Sequence, residues 1–150
     1  MIRSVAIFAA LVSFLGAARA EPAAPPVAID TLIGSVERVT VTVQDPVYKK
    51  SKRFEGYPLA TLLRRAWPEV DQWAAEGAEL VLTAVDGYAP SMDLARALSS
   101  NGIVAARDLD RPADDPWEPF PKGATMITPA PYYLVWTGID ADDPHYRWPY

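Results

Sequence analysis

The sequence predicts a single compact α+β domain with a mixed β-sheet and short helices. Segments with the two-residue period of strands alternate irregularly with short segments that have the 3.6-residue period of helices. No internal repeat and no coiled-coil pattern is present, and this irregular order favours α+β over a regular succession of βαβ units. The length of 150 residues is typical of one domain that can bury a core without disulfides.

The first twenty residues have the three-part pattern of a secretory signal peptide. Arg3 gives a positive start, residues 5–15 are almost entirely apolar, and residues 18–20 (ARA) place small side chains where a signal peptidase cleaves. The apolar run is shorter than the ~20 residues that a membrane-spanning helix needs. We therefore expect residues 1–20 to be removed, leaving a periplasmic or secreted protein that is not held in a membrane. The alternative is a retained N-terminal anchor.

The next segments predict a linker followed by the first strand of the domain. Residues 21–26 (EPAAPP) predict a stiff, extended linker, and residues 27–150 form the predicted domain. Valines alternate with polar residues up to position 43, which predicts a half-buried strand over 36–43. Four basic side chains in residues 48–54 predict an exposed loop or an edge strand, because lysines protect sheet edges.

Two short helices are predicted in the middle of the chain. Residues 55–58 (EGYP) predict a turn, and Pro58 is the kind of residue that begins a helix. Apolar residues then recur with helical spacing and end at Pro68, which stops the helix. Residues 70–76 predict a second short helix that ends at Gly77. The apolar face of the first helix consists of Leu59, Leu62, Leu63, Ala66 and Trp67.

The following segments predict a buried strand, a third helix and another strand. The apolar run at 80–85 predicts a central strand. Ser91 is a predicted N-cap, with Asp93 in the positive first turn of the helix. Asn101 and Gly102 end that helix, and residues 103–106 predict a short strand.

The last third of the chain predicts a long loop and a final strand. Residues 108–123 (DLDRPADDPWEPFPKG) contain four prolines and five acidic residues. They predict a surface loop, and loops of this length are usually functional or mobile. Residues 132–136 (YYLVW) predict the final strand.

The composition excludes several classes of protein. The chain carries 19 acidic and 14 basic side chains, a net charge of −5, which argues against nucleic acid and anionic membranes as partners. It contains no cysteine, which excludes a disulfide scaffold, a thiolate metal site and a thiol nucleophile. His145 is its single histidine, so within this sequence neither a histidine triad nor a zinc site with two imidazoles can form.

Residues 86–88 (DGY) are the most informative local feature. Asp86 ends a buried strand, where a carboxylate can face the mouth of a pocket. Gly87 suits a positive φ angle, and Tyr88 can stack on a ligand or donate a hydrogen bond. The alternative is that Asp86 only caps the turn that follows it.

Arg107, Tyr132 and Trp136 complete a predicted ligand groove. In this hypothesis Asp86 is a hydrogen-bond acceptor, Tyr88 a stacking ring, Arg107 an anion contact, and the two aromatics are apolar walls. The alternatives are a salt bridge from Arg107 to Asp108 or Asp110, and plain packing of the aromatics beneath the loop.

Two metal hypotheses are weaker, and we assign no metal site. Residues 140–145 contain Asp140, Asp142, Asp143 and His145, whose oxygens could hold calcium. The spacing lacks the glycine and the distal glutamate of an EF-hand loop, so the alternative is a solvated acidic turn. Met92, Met126 and His145 could bind copper or haem, or could simply pack in the core or on the surface.

The ordered set of motifs resembles a known family. Residues 54–63 (FEGYPLATLL), 80–88 (LVLTAVDGY), 91–98 and 131–136 (PYYLVW) together resemble the C-terminal half of the sulfite-oxidase-type molybdopterin-binding domain. In that family a G-x-P-L-x-x-L-L helix precedes a strand that ends in D-G-Y. The resemblance covers roughly residues 36–150. It implies that fold, molybdopterin as the cofactor, and one more strand after the final residues.

The family binds molybdenum through a cysteine thiolate that this sequence lacks. The resemblance therefore carries over Asp86, Gly87 and Tyr88 as motif positions and no catalytic residue. One hypothesis is a non-catalytic periplasmic accessory module that binds a small anionic or heterocyclic ligand, or docks on a redox protein such as a cytochrome. The alternatives are a pterin-cofactor oxidoreductase without the cysteine ligand, and a calcium- or copper-binding periplasmic protein.

Overall fold

The structure is a computed structural model that describes residues 4–8, as backbone, and residues 24–146. Its strands are β1 (Ser4–Phe8), β2 (Val27–Ala28), β3 (Val39–Asp45), β4 (Lys50–Pro58), β5 (Glu79–Thr83), β6 (Ser91–Asp93), β7 (Gly102–Asp108), β8 (Phe120–Lys122), β9 (Thr125–Ile127) and β10 (Tyr133–Trp136). Its helices are α1 (Ile29–Leu32), α2 (Leu59–Ala66), α3 (Val70–Ala75) and α4 (Leu94–Ser99). This mixture of short helices and strands confirms the α+β class.

The described strands form two four-stranded sheets and one hairpin. The first sheet has the order β2-β1-β5-β6 and is mixed, because β1 runs parallel to β2 and β5 while β6 is antiparallel to β5. The second sheet has the order β10-β7-β4-β3 and is antiparallel throughout. Strands β8 and β9 form the hairpin.

Most of the predicted signal peptide lies outside the described residues. The part that is described, Ser4–Phe8, is strand β1 between β2 and β5. Cleavage after residue 20 remains a prediction, and it would remove β1 from the first sheet. Residues 21–23 of the predicted linker are also outside the described part.

The second sheet separates two hydrophobic cores. Leu134 and Trp136 of β10 belong to the core beneath the helices, here called the helix-side core, together with α2 and β5. Tyr133 and Val135 point to the opposite face, into a smaller core that also contains Trp117 and Phe120. We call this second cluster the loop-side core. Strand β10 is buried at every position because both of its faces are covered.

The predicted helices in the middle of the chain are confirmed. Helix α2 begins directly after Pro58 and buries Leu59, Leu62 and Leu63 completely. Helix α3 follows and is terminated before Gly77, whose φ angle is 80°. The helical spacing of apolar residues and the proline and glycine signals agree in this segment, so local sequence was sufficient to predict both helices.

The predictions for residues 48–54 and 55–58 were wrong. After a turn that includes residues 48–49, strand β4 runs from Lys50 to Pro58. It lies between β3 and β7, so it is an interior strand and β3 is the edge. Lys52 is buried rather than guarding an edge, because distant carboxylates neutralise it. Gly56 lies within the strand, where a Cβ atom would approach the carbonyl oxygen of Val104 to 2.2 Å.

The predicted N-cap of the third helix was also wrong. Ser91 lies in β6, and the cap is Asp93, whose carboxylate accepts a hydrogen bond from the backbone N–H of Arg96 at 2.7 Å. An aspartate is as good a cap as serine, and pairing of β6 with β5 keeps Ser91 extended.

Two further boundaries differ from the predictions. Strand β5 ends at Thr83, because a turn follows in which the N–H of Gly87 bonds to the carbonyl of Ala84 at 3.0 Å. The segment 108–123 is not a plain surface loop. It buries Trp117 and Phe120 in the loop-side core and ends in strand β8.

Candidate ligand-binding site at one corner of the second sheet

The turn at Asp86, Gly87 and Tyr88 is exposed. Asp86 Oδ1 accepts the backbone N–H of Tyr88 at 3.0 Å, and Gly87 has a φ angle of 88°. The capping role considered for Asp86 is therefore present. Asp86 also forms an ion pair with Lys122, which joins this turn to the β8–β9 hairpin.

Trp136 is a core residue. Its side chain is 2% exposed and belongs to the helix-side core. A Cβ atom on Gly102 would lie 2.6 Å from its ring, so the indole packs directly on the backbone of β7. This position does not fit the predicted role of Trp136 as a wall of an open groove.

Arg107 and Tyr132, in contrast, lie on the same face of the second sheet. Arg107 is opposite Glu55 in the β4–β7 pair, and opposite residues share a face. Tyr57, two residues after Glu55, packs in the helix-side core, and so does Tyr132. A bulge between Glu55 and Gly56 shifts the register at this point; bulges commonly redirect side chains next to functional sites.

Six residues lie at this corner, and we call them the corner cluster. They are Asp30, Arg38, Glu55, Tyr57, Arg107 and Tyr132. Hydrogen bonds and electrostatic interactions link five of their side chains, and the pairing of Arg107 with Glu55 places Arg107 beside them.

Two sets of hydrogen bonds organise the corner cluster. The Tyr132 hydroxyl donates to Asp30 Oδ1 at 2.5 Å, which ties α1 to the start of β10. Arg38 Nε donates to the Tyr57 hydroxyl at 3.0 Å, and its Nη1 donates to Glu55 Oε1 at 2.8 Å. The Arg38 guanidinium also lies 5.3 Å from the centre of the Tyr57 ring.

Arg107 is the one member whose buried polar atom lacks a partner. Its Nε is buried, with no hydrogen bond to any residue that the structure describes. The salt bridges considered for it do not form, because Asp108 pairs with Lys52 and Asp110 pairs with Arg53. An orphaned buried N–H carries a free-energy cost of ~1–3 kcal/mol.

The electrostatics of the cluster favour hydrogen-bond donation. Burial and the hydrogen bond to Asp30 raise the pKa of Tyr132, so its hydroxyl keeps its proton at neutral pH. Hydrogen bonds to Tyr57 and Glu55 raise the pKa of Arg38, which stays cationic. Glu55 is paired with Arg38, so among the described residues Arg107 is the arginine of the cluster with an Nε that has no acceptor.

Sequence reasoning missed four members of the cluster. Glu55 and Tyr57 were assigned to a turn, whereas a two-residue period continued through β4 would have placed both on one face. Asp30 and Arg38 carry no local signal, because their roles depend on contacts with Tyr132 and Tyr57 across the fold.

A separate ionic cluster is buried in the loop-side core. Lys52 is 1% exposed and donates to Asp108 and to Glu118, the latter at 2.8 Å. Its ammonium nitrogen lies 4.8 Å from the centre of the Tyr48 ring. Burial alone would lower the pKa of Lys52, but the two carboxylates outweigh burial and raise it. The ammonium therefore keeps its charge at neutral pH, which indicates a structural ion pair.

An open groove lies next to the corner cluster, between the start of β3 and helix α2. Its volume is about 480 Å³. Arg65 Nη1 donates to the Ser35 hydroxyl across it at 2.9 Å. The residues that line the groove are Ser35, Val36, Glu37, Val39, Pro58, Thr61 and Arg65.

The metal hypotheses gain no support from the described residues. Within 24–146 no three histidine, aspartate or glutamate side chains are grouped as metal ligands would be. Asp143 instead accepts hydrogen bonds from Arg96 and from the backbone of His145. Met92 is buried in the helix-side core, whereas Met126 is 60% exposed. No described helix has the length and hydrophobicity required to cross a bilayer.

Comparison with known proteins does not identify a relative. No protein-family model matches the chain, and no curated protein is similar to it at a significant level.

Proposed function

We propose that this chain is an exported, non-catalytic binding module with a fold of the sulfite-oxidase molybdopterin-domain type, serving a redox system. Its ligand is a small anion bound at the corner cluster. The fold assignment is supported by two motif positions. Helix α2 begins at Leu59, the leucine of the G-x-P-L segment, and β5 leads into the turn of Asp86, Gly87 and Tyr88.

The observation that carries the proposed binding function is the unpartnered Nε of Arg107. A carboxylate or sulfate-like oxygen can take two parallel hydrogen bonds from a guanidinium, which are about twice as strong as neutral ones. Such a ligand would accept a hydrogen bond from Arg107 Nε, which has no acceptor among the described residues. Tyr132 lies on the same face of the second sheet and contributes an apolar ring to it.

The residues of the chain do not fit a molybdenum centre of the family type. The family holds the metal through a thiolate, and this chain has no cysteine. Within the described ranges, no cluster of histidine and carboxylate side chains replaces it. The proposal therefore includes no reaction step through a pterin cofactor.

The anion proposal is tested by thermal unfolding in the presence of sulfate, acetate and succinate at constant ionic strength. An anion at 100 times its Kd stabilises the native state by ~2.7 kcal/mol, and we expect at least one of the three to raise Tm by several degrees. Arg107→Gln should abolish that shift. Arg64→Gln is the matched control, because Arg64 is exposed and its guanidinium is already paired with Asp71. Equal shifts in both variants would refute the site.

The absence of catalysis is tested separately, by elemental analysis and an absorption spectrum of protein purified from its own periplasm. We expect a colourless protein without molybdenum. Near-stoichiometric molybdenum would overturn the non-catalytic assignment and favour a pterin oxidoreductase with an unusual ligand.

A further inference from the structure

Strand β3 is the exposed edge of the second sheet. It pairs with β4 over seven residues, from Val39 opposite Gly56 to Asp45 opposite Lys50. On its other side the sheet order contains no further described strand. Edge strands of this length present a row of unpaired backbone N–H and C=O groups to which another strand can add.

The first six residues of β3 lack the features that usually block such addition, and the last residue, Asp45, is charged but buried. Residues 39–44 (VTVTVQ) contain no lysine, no proline and no other charged residue. Valine and threonine are among the residues that favour strands most. Natural edge strands are normally protected by charges, prolines or bulges, so an unprotected edge suggests a surface that is covered in the working protein.

The same strand is symmetric about Val41. Reading outward from this residue, Thr40 and Thr42 match, and so do Val39 and Val43. A strand with this symmetry is complementary to itself in the antiparallel orientation, because a two-fold axis through Val41 places like residues opposite each other.

We propose that β3 pairs with β3 of a second copy of this chain, antiparallel and about a two-fold axis at Val41. Val39 then lies opposite the partner's Val43, and Thr40 lies opposite the partner's Thr42. The two second sheets join into one continuous eight-stranded sheet.

The two faces of β3 fit this arrangement. Val39 and Val41 are half-buried and pack against the loop-side core, so a second copy would cover their remaining exposed surface. Thr40 and Thr42 are exposed on the other face, where opposite threonines can hydrogen-bond across the junction. No charged side chains are brought together between positions 39 and 43. Just beyond them Glu37 lies opposite the partner's Asp45, whose carboxylate accepts hydrogen bonds from Val47, Tyr48 and Tyr133 of its own chain.

The size of the junction predicts a reversible dimer. The two-fold axis at Val41 pairs residues 39–43 of the two strands, a junction of five residues that is roughly 17 Å long at ~3.3 Å per residue. Pairing along this edge alone buries less than the ~800 Å² per partner of a standard stable interface. We therefore expect dissociation on dilution rather than a permanent dimer.

The test is sedimentation velocity of the purified full chain over a wide concentration range. We expect the wild type to shift from monomer to dimer as its concentration rises. The Thr40→Lys/Thr42→Lys variant places four ammonium groups at the junction and should remain monomeric. The Ala75→Lys/Ala95→Lys variant, with the same change in net charge at exposed helical positions, should dimerise like the wild type.

Hydrogen exchange provides a second measurement that requires no variant. Amides of β3 in the wild type should exchange more slowly at high than at low protein concentration. A wild type that stays monomeric throughout, or a lysine variant on β3 that dimerises as well as the control, would overturn the proposal.

Discussion

At the scale of single residues, the burial of Lys52 carries a high free-energy cost. Its ammonium group lies between the buried carboxylate of Asp108 and that of Glu118, on an interior strand. Taking these charges out of water costs several kcal/mol per ion, and only their mutual attraction offsets that cost. The pair is therefore sensitive to loss of either partner.

Lys52→Met should lower the free energy of unfolding by ~3–5 kcal/mol, because it leaves the Asp108 charge buried without a counter-ion. Urea denaturation measures the loss. Lys50→Met is the matched control, since the Lys50 side chain is 52% exposed and its pair with Glu118 is worth at most ~1 kcal/mol. Similar losses of unfolding free energy in the two variants would show that Lys52 does not form a buried ion pair with Asp108.

For Asp45, unlike Lys52, we expect removal of the charge not to destabilise the protein at neutral pH. Burial raises its pKa despite hydrogen bonds from the backbone of Tyr48 and the hydroxyl of Tyr133. The folded state therefore binds this proton more tightly than the unfolded state does. The stability gained in this way is present below the ordinary pKa of ~3.9 and is lost as pH rises through the raised folded value.

Asp45→Asn should consequently be at least as stable as the wild type at pH 7, because asparagine avoids a buried charge and can keep the turn hydrogen bonds. The advantage should shrink or vanish at pH 3, where Asp45 is protonated. Tm measured for both proteins at the two pH values gives the comparison. A variant that is relatively worse at pH 7 than at pH 3 would contradict the assigned direction.

At the scale of elements, β4 depends on a close approach between two backbones. Gly56 sits at the bulge opposite Ala105, and any side chain there would collide with the carbonyl of Val104. The collision involves main chain on both sides, so neither partner can move aside without disturbing the sheet.

Gly56→Ala should therefore reduce stability by more than ~3 kcal/mol, in the range that marks a specific steric conflict. Gly87→Ala is the control. Gly87 has a positive φ angle but open space around its Cβ position, and left-handed backbone costs ~1–2 kcal/mol for a residue with a side chain. Urea midpoints compare the two, and equal effects would argue against the close β4–β7 approach.

Local sequence was sufficient for some elements and insufficient for others. Helix α2 was predictable because its apolar spacing and its bounding prolines agree. Strand β4 was not, because its basic residues and Gly56 both resemble loop signals. Lys52 is paired with carboxylates that lie 56 and 66 positions away in the sequence. A local sequence pattern cannot predict contacts between residues so far apart.

At the scale of the whole molecule, the corner cluster also depends on contacts between distant residues that local sequence does not predict. Arg107 and Tyr132 were identifiable as candidates from their positions near strands. Their partners come from α1, the segment before β3, and β4, so the cluster exists only once the second sheet has formed. Trp136 was misassigned to the groove because an aromatic at the end of a strand can pack inward as easily as outward.

The segment after β7, which brings Glu118 to Lys52, also affects the order in which the protein folds. Asp108 and Glu118 reach Lys52 only when the segment after β7 closes over the second sheet. Until then the ammonium group remains hydrated, which opposes drying of the surface around it. Because a charged group is costly to remove from water until its counter-ions arrive, we expect the loop-side core to be the last part of the protein to exclude water.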